Sequence, residues 1–156
     1  MQGNELTLDR GAQRGFIRDE MIRFQNLLGS ITESVYEAEV AYKRQELFCK
    51  ILERALLVEV FESEEAKSKN WSVDMKKANA FLASISREKL LSRHGIDKII
   101  PPDRATFSLS EEKAVELELE ALWNRLRNRM AAINVTIDVA RSGLSYDKSE
   151  AENYAK

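Results

Sequence analysis

The chain has 156 residues, 44% hydrophobic and 32% charged, which is the composition of a folded protein rather than of a disordered one. Its formal net charge of -2 gives no general signal for nucleic acid or for an anionic membrane, so a site for either must be a local patch. Only 6 Gly and 2 Pro interrupt the chain, which favours few and long elements.

Neither a signal peptide nor a membrane span is expected from the sequence. The first residues, MQGNELTLDRGAQRG, lack the apolar core of a signal peptide, and no run approaches the roughly 18 apolar residues of a membrane helix. Cys49 is the only cysteine, which excludes an intramolecular disulfide and favours a reducing compartment. We therefore expect a cytoplasmic protein with no membrane partner.

One apolar stripe dominates the sequence. Its members follow one another at alternating steps of four and three, and only Gln45 interrupts the apolar character. A strand cannot use this period, whereas an amphipathic helix requires it. The stripe consists of Ile17, Met21, Phe24, Leu28, Ile31, Val35, Ala38, Tyr42, Gln45, Cys49, Leu52 and Leu56.

The stripe allows two interpretations at Gly29. Its phase passes through Gly29 unbroken, which favours one continuous helix. Ser30 and Glu33 form a capping box, which favours a new helix. Because the cap signal is explicit, we expect two near-collinear helices with a kink between them, over 13–28 and 31–66.

The later elements are marked by turn and cap residues. A turn at 67–70 separates the long helix from a third helix, which Ser72 begins and Gly95 ends. A connection with two prolines follows, and Ser110 caps a last long helix that ends at Gly143. We thus predict an all-α fold, a long antiparallel helical hairpin or bundle of three to four helices, with a flexible start at 1–12, one helical domain at 13–143 and a polar tail at 144–156.

These helices carry more apolar surface than one copy can cover. The second helix has an additional apolar row, so its hydrophobic face is wider than a two-stranded coiled-coil seam. Burial of that surface favours a homo-oligomer or docking on a partner helix. The predicted oligomer interface consists of Ile17, Met21, Phe24, Leu28, Val40 and Leu47.

The sequence contains only weak signals for a catalytic or metal site. Glu33 and Glu37 lie one helical turn apart, but a di-iron site also needs Glu-x-x-His pairs, and His94 is the only histidine. No Gly-rich phosphate loop is present, and the acidic cluster at 62–65 has no second acidic motif on the next helix. We expect a protein that is not an enzyme and has no cofactor, no metal and no small-molecule substrate.

Charge is distributed unevenly. From Asp74 to Arg104 seven basic residues stand against four acidic ones, whereas Glu33 to Ala66 holds nine acids and four bases. One explanation is a surface that binds a phosphate backbone. The other is attraction between subunits, or between the acidic long helix and a basic helix packed on it. An additional ridge with i,i+4 spacing is a further candidate for nucleic-acid binding and consists of Arg10, Arg14 and Arg18.

The run YEAEVAYKRQELFCKILERALL, followed by a lysine turn, VDMKKANAFL and a second long helix, is similar to small helical phage accessory proteins. It resembles the UvsY-type recombination mediators, in element order and spacing over 36–141. That resemblance implies a helical ring that helps to load a recombinase onto single-stranded DNA. It makes Lys76, Lys77 and Arg87 candidate DNA-facing positions.

Two hypotheses follow for the function. The first is a non-enzymatic oligomeric accessory protein that binds single-stranded nucleic acid, or a recombination or replication protein such as a recombinase, through a basic surface. The second is a structural scaffold, adaptor or inhibitor that acts through protein–protein contacts alone.

Overall fold

The computed structural model describes residues 3–94, 100–101 and 103–154, and the prediction of a helical fold is confirmed. The fold also contains a short antiparallel strand pair, which was not predicted from the sequence. In chain order the elements are α1 (Gly3–Glu62), α2 (Glu64–Ser68), α3 (Val73–Leu82), β1 (Ser84–Ser86), α4 (Arg87–His94), β2 (Thr106–Ser108) and α5 (Leu109–Tyr154).

The chain divides into two compact units. Unit 1 consists of Met1–Glu37 and Asn124–Lys156, and unit 2 is Ala38–Trp123. Each unit therefore contains one segment of α1 and one segment of α5, whereas α2, α3, α4 and the strands belong to unit 2.

In unit 1 the two helical segments pack antiparallel. The Thr32 hydroxyl on α1 lies 3.7 Å from the Met130 sulfur on α5, and Phe16 lines the same groove as Gly143, further along both helices. Among the described side chains of this unit, the buried hydrophobic ones are Ile31, Val35, Ile133 and Ile137.

The expected break at Gly29 is wrong, and the alternative of a continuous helix holds. α1 runs through this position, and the Ser34 hydroxyl donates to the Ser30 carbonyl at 3.3 Å, as side chains inside a helix do. Gly costs only about 1 kcal/mol within a helix. Burial of Ile31 and Val35 just beyond it offsets that cost.

Unit 2 closes around one hydrophobic cluster. Phe48 of α1 meets Phe107 of β2 edge to face, with 5.3 Å between ring centroids, and helices α3 and α4 contribute Ala80 and Leu90. The buried members are Phe48, Cys49, Leu52, Ala55, Leu56, Val60, Ala80, Ile85, Leu90, Ile100, Phe107 and Leu109.

The third helix is shorter than predicted. Ser72 caps it as expected, its hydroxyl accepting from the Met75 N–H at 3.3 Å, but α3 ends at Leu82. β1 then pairs with β2 in the register Ile85 opposite Phe107, and each three-residue strand buries its central side chain. The predicted stop at Gly95 lies outside the described residues.

The predicted ends of both long helices are also wrong. α1 stops at Glu62 rather than at Ala66, because Ser63 begins the separate α2 with its hydroxyl accepting from the Ala66 N–H at 3.2 Å. α5 begins at Leu109, so Ser110 lies inside the helix and is not its cap, and the helix continues through Gly143 to Tyr154. No proline follows Gly143, so a single glycine does not stop this helix.

Candidate protein-binding surface

An apolar groove lies in unit 1 between its two helical segments. Its volume is about 340 Å³, and Glu20 is the acidic side chain at its edge. The lining residues are Phe16, Ile17, Glu20, Met21 and Phe24 from α1 with Thr136, Val139, Ala140 and Gly143 from α5.

The groove exists because bulky side chains on α1 face small ones on α5. A Cβ atom added at Gly143 meets nothing within 4 Å, so the groove is open at this position. Phe16 and Val139, which line it, are each 67% exposed. An exposed and concave apolar surface of this kind is typical of a protein interaction site.

Three of the predicted interface residues line this groove: Ile17, Met21 and Phe24. Leu28 is half-buried on the same helix of unit 1. Val40 and Leu47 are exposed and belong to unit 2, so they are not part of the groove. Their assignment to an oligomer interface stays a prediction.

The basic ridge of Arg10, Arg14 and Arg18 lies on α1, as its i,i+4 spacing predicted. Arg14 and Arg18 lie one turn apart and are exposed. Arg10 belongs to the same helix, but its side chain lies outside the described ones. The ridge belongs to unit 1.

The other predicted nucleic-acid residues belong to unit 2, in different surroundings. Lys77 is exposed on α3, whereas the Lys76 ammonium lies 4.5 Å from the centroid of the Phe61 ring, a cation–π contact. Arg87 is half-buried at the start of α4, and its backbone N–H donates to the Ala105 carbonyl at 2.8 Å.

Several of the basic residues between Asp74 and Arg104 form ion pairs inside unit 2. Lys89 and Arg93 of α4 both pair with Glu59 of α1, and Arg93 also reaches Glu62 at 3.1 Å. Arg104 likewise pairs with a carboxylate, Glu112 of α5. These pairs match the explanation in which the acidic long helix attracts a basic helix packed on it, and they leave fewer cations for a phosphate backbone.

Gln45, the residue that interrupts the apolar stripe, belongs to a buried polar network. Its amide donates to the Glu112 carboxylate at 2.8 Å and to the Glu112 backbone carbonyl at 3.1 Å. Glu112 is only 1% exposed, and Arg104 supplies the opposite charge, its guanidinium lying over the Phe107 ring. A buried carboxylate is tolerated when it is paired and hydrogen-bonded in this way.

Cys49 belongs to the hydrophobic cluster of unit 2 and is fully buried. Burial, together with the neighbouring Glu116 carboxylate, raises the pKa of its thiol to about 12. A thiol with that pKa carries almost no thiolate near neutral pH, so it is a poor nucleophile. The ion pair of Lys113 with Glu116, at 2.7 Å, raises the pKa of Lys113.

Surface ion pairs along α1 are of the ordinary helical kind. Lys43 and Lys50 both contact Glu46, at 3.1 and 2.8 Å, and these hydrogen bonds lower the pKa of the Glu46 carboxyl. They support the helix without forming a site.

A second cleft, of about 340 Å³, opens in unit 2 beside Trp71. It is lined by carboxylates that already have partners: Glu59 contacts Lys89, and Glu65 contacts Lys69 at 2.6 Å. We therefore regard the groove of unit 1 as the better candidate for binding.

The roles of Phe16 and Val139 in the groove, and the pairing of Arg104 with Glu112, were not predicted from the sequence. Phe16 precedes the stripe by one position, and Val139 lies on the last helix, directly before Ala140. The lone polar residue within the stripe, Gln45, was the available signal for the buried network.

Among the described residues, no group of three or more His, Cys, Asp or Glu could hold a metal ion. In the described part of the chain, every helix is too short or too polar to cross a membrane. Comparisons with protein-family models, with curated proteins and with solved structures gave no significant match. The resemblance to the UvsY-type mediators stays a prediction.

Proposed function

We propose that this protein is a non-enzymatic helical adaptor or scaffold that works by protein–protein contact, with the groove of unit 1 as its binding surface. The observation that carries the proposal is the apolar groove, with Phe16 and Val139 exposed at its edges. Solvent-exposed apolar side chains gathered in one concave patch lower their free energy when another chain covers them.

The composition of unit 1 supports the same conclusion. Two helical segments bury few side chains between them, and isolated helices in water are marginally stable. Packing on a further helix supplies the missing apolar contacts. The exposed surface therefore has a structural reason to bind.

A photoreactive benzoylphenylalanine at position 16, introduced in cells that make the protein, tests this proposal. Position 36 is the matched control, because Tyr36 is an aromatic residue on the same helix, is 68% exposed and lies outside the groove. We expect protein adducts from position 16 and few from position 36. Equal labelling from both positions, or none from either, contradicts the proposal.

The second candidate function is binding of single-stranded nucleic acid or of a recombination or replication protein. It is favoured by Arg14 and Arg18, exposed on one face of α1, and by the exposed Lys77. A fluorescent single-stranded oligonucleotide tests it by anisotropy at low salt. This candidate predicts binding that weakens with salt and when Lys76 and Lys77 become Glu. Absence of binding at low salt rejects it.

A further inference from the structure

The groove of unit 1 raises the question of what covers it. We infer that its occupant is a second copy of this chain, so that two copies of unit 1 form an intermolecular four-helix bundle. This inference rests on the proposed function and names its partner.

Two antiparallel helices present a shared apolar face but cannot enclose it, whereas four helices enclose a core between them. A second unit 1, related by a two-fold axis, supplies the two missing helices, and a two-fold interface uses the same patch on both copies.

The shape of the groove favours the same occupant. Phe16 lines the groove and is exposed, and the space beside Gly143 is open. A cavity of about 150 Å³ holds a benzene molecule, so the groove, at about 340 Å³, has room for more than one apolar side chain. In the dimer, Phe16 of each copy enters the groove of the other.

The charges of the two helical segments also favour a second copy. Among described side chains, the α1 segment over 12–37 carries four carboxylates and three guanidinium groups, whereas the α5 segment over 124–146 carries four guanidinium groups and one carboxylate. Packing α1 of one copy beside α5 of the other therefore brings together segments of opposite net charge. Packing like segments together brings together like charges.

The face of unit 1 is large enough to form a dimer interface. A segment of 26 residues is about 39 Å long at 1.5 Å per residue, and two helices side by side are about 20 Å wide. Such a face covers about 800 Å² per copy, which is the area that a stable interface buries on each partner. One face of unit 1 thus suffices for a dimer.

Light scattering after size exclusion, over a wide range of concentration, tests the inference on the full chain. The wild type is expected at twice 17.9 kDa. Val139→Glu, which places a charge in the groove, is expected to reduce the mass to that of one chain. The matched control is Leu117→Glu, on the same helix, because Leu117 is 64% exposed and belongs to unit 2. This control is expected to keep the mass of the wild type.

Mixed disulfides provide a second test that introduces no charge. Chains carrying Phe16→Cys and chains carrying Val139→Cys, both with Cys49→Ala, are mixed with oxidised glutathione as the oxidant. We expect the mixed dimer to form, and to be absent when Leu117→Cys replaces Val139→Cys. A dimer without this cross-link contradicts the predicted arrangement.

The outcomes separate this inference from the proposed function. A wild type that stays at 17.9 kDa, or a Val139→Glu dimer, overturns the second copy as occupant. If position 16 still gives adducts with a different protein, the proposed function stands and only the inference fails. If position 16 gives no adduct at all, both fail.

Discussion

Unit 2 encloses its core, whereas unit 1 leaves its apolar surface open. Both contain a segment of α1 and a segment of α5, so helix length does not explain the difference. Unit 2 also contains α3, α4 and the strand pair, whose buried residues Ala80, Leu90 and Phe107 complete its cluster. The comparison teaches that, in the described part of the chain, a helical hairpin encloses its apolar side chains where additional elements pack on it, as in unit 2, and leaves several of them exposed in unit 1.

The largest effect is expected from opening the core of unit 2. Phe107→Ala removes a fully buried ring that contacts Phe48, and such a change costs about 3–5 kcal/mol of unfolding free energy. Leu117→Ala, at an exposed site in the same unit, is expected to change it by less than about 0.5 kcal/mol. Both tryptophans lie in unit 2, so urea unfolding followed by tryptophan fluorescence measures this unit. Equal costs for the two variants contradict the comparison.

The next largest effect is expected on the labelling rate of the buried Cys49 thiol. Since burial raises the pKa of Cys49 from 9.0 to about 12, its thiolate is about a thousandfold rarer at pH 8 than that of an ordinary cysteine. Disulfide-exchange labelling of Cys49 is expected to be slower by at least that factor than labelling of Tyr36→Cys in a Cys49→Ala chain. Comparable labelling rates contradict a closed unit 2.

The same shift in pKa makes stability depend on alkaline pH. The folded state holds the thiol proton more tightly than the unfolded state, so this contribution is complete below pH 9 and is lost as pH rises toward 12. Cys49→Ala is expected to reduce the fall in unfolding free energy over that range. If the unfolding free energy of Cys49→Ala falls with pH as steeply as that of the wild type, the Cys49 thiol is not the source of this pH dependence.

The network around Glu112 gives a somewhat smaller effect. Arg104→Met leaves a buried carboxylate without its opposite charge, and the expected cost is near the lower end of about 3–5 kcal/mol, because Arg104 is partly exposed and Gln45 still donates to Glu112. Replacing Glu112 by Leu in the same chain is expected to recover part of this cost, since no unpaired charge remains. Denaturant unfolding of the single and double variants measures the difference. A double variant less stable than Arg104→Met contradicts the account.

The smallest effect is expected at the ion pairs of α4. Glu59→Gln removes the partner of Lys89 and Arg93, but these side chains are nearly half exposed, so the expected cost is about 1 kcal/mol or less. The cost is expected to shrink with added salt. A cost that salt does not change contradicts an exposed, screened pair.

The features that could be predicted from the sequence are those that helical periodicity and capping residues determine. The stripe of α1, the Ser72 cap and the helical class were confirmed because each depends on local spacing and hydrogen bonding. The ends at Gly29 and Gly143 were wrong because a glycine costs about 1 kcal/mol, which packing of neighbouring residues such as Ile31 overcomes.

Other features depend on contacts between distant parts of the chain. The strands of three residues are too short for an alternating pattern, and they form because Ile85 and Phe107 pair and are buried. The partners of Glu59 are thirty or more positions away in the sequence, so charge counts alone could not assign them. The groove likewise depends on which residues of α5 face Phe16.

Hydrogen exchange measured at several protein concentrations tests the central claim most directly, because it reports each unit separately. If a second copy covers unit 1, its amides over 12–37 and 124–146 gain protection as concentration rises, whereas the amides of unit 2 at the core positions do not change. Equal behaviour of the two units, or protection of unit 1 that is independent of concentration, contradicts the claim.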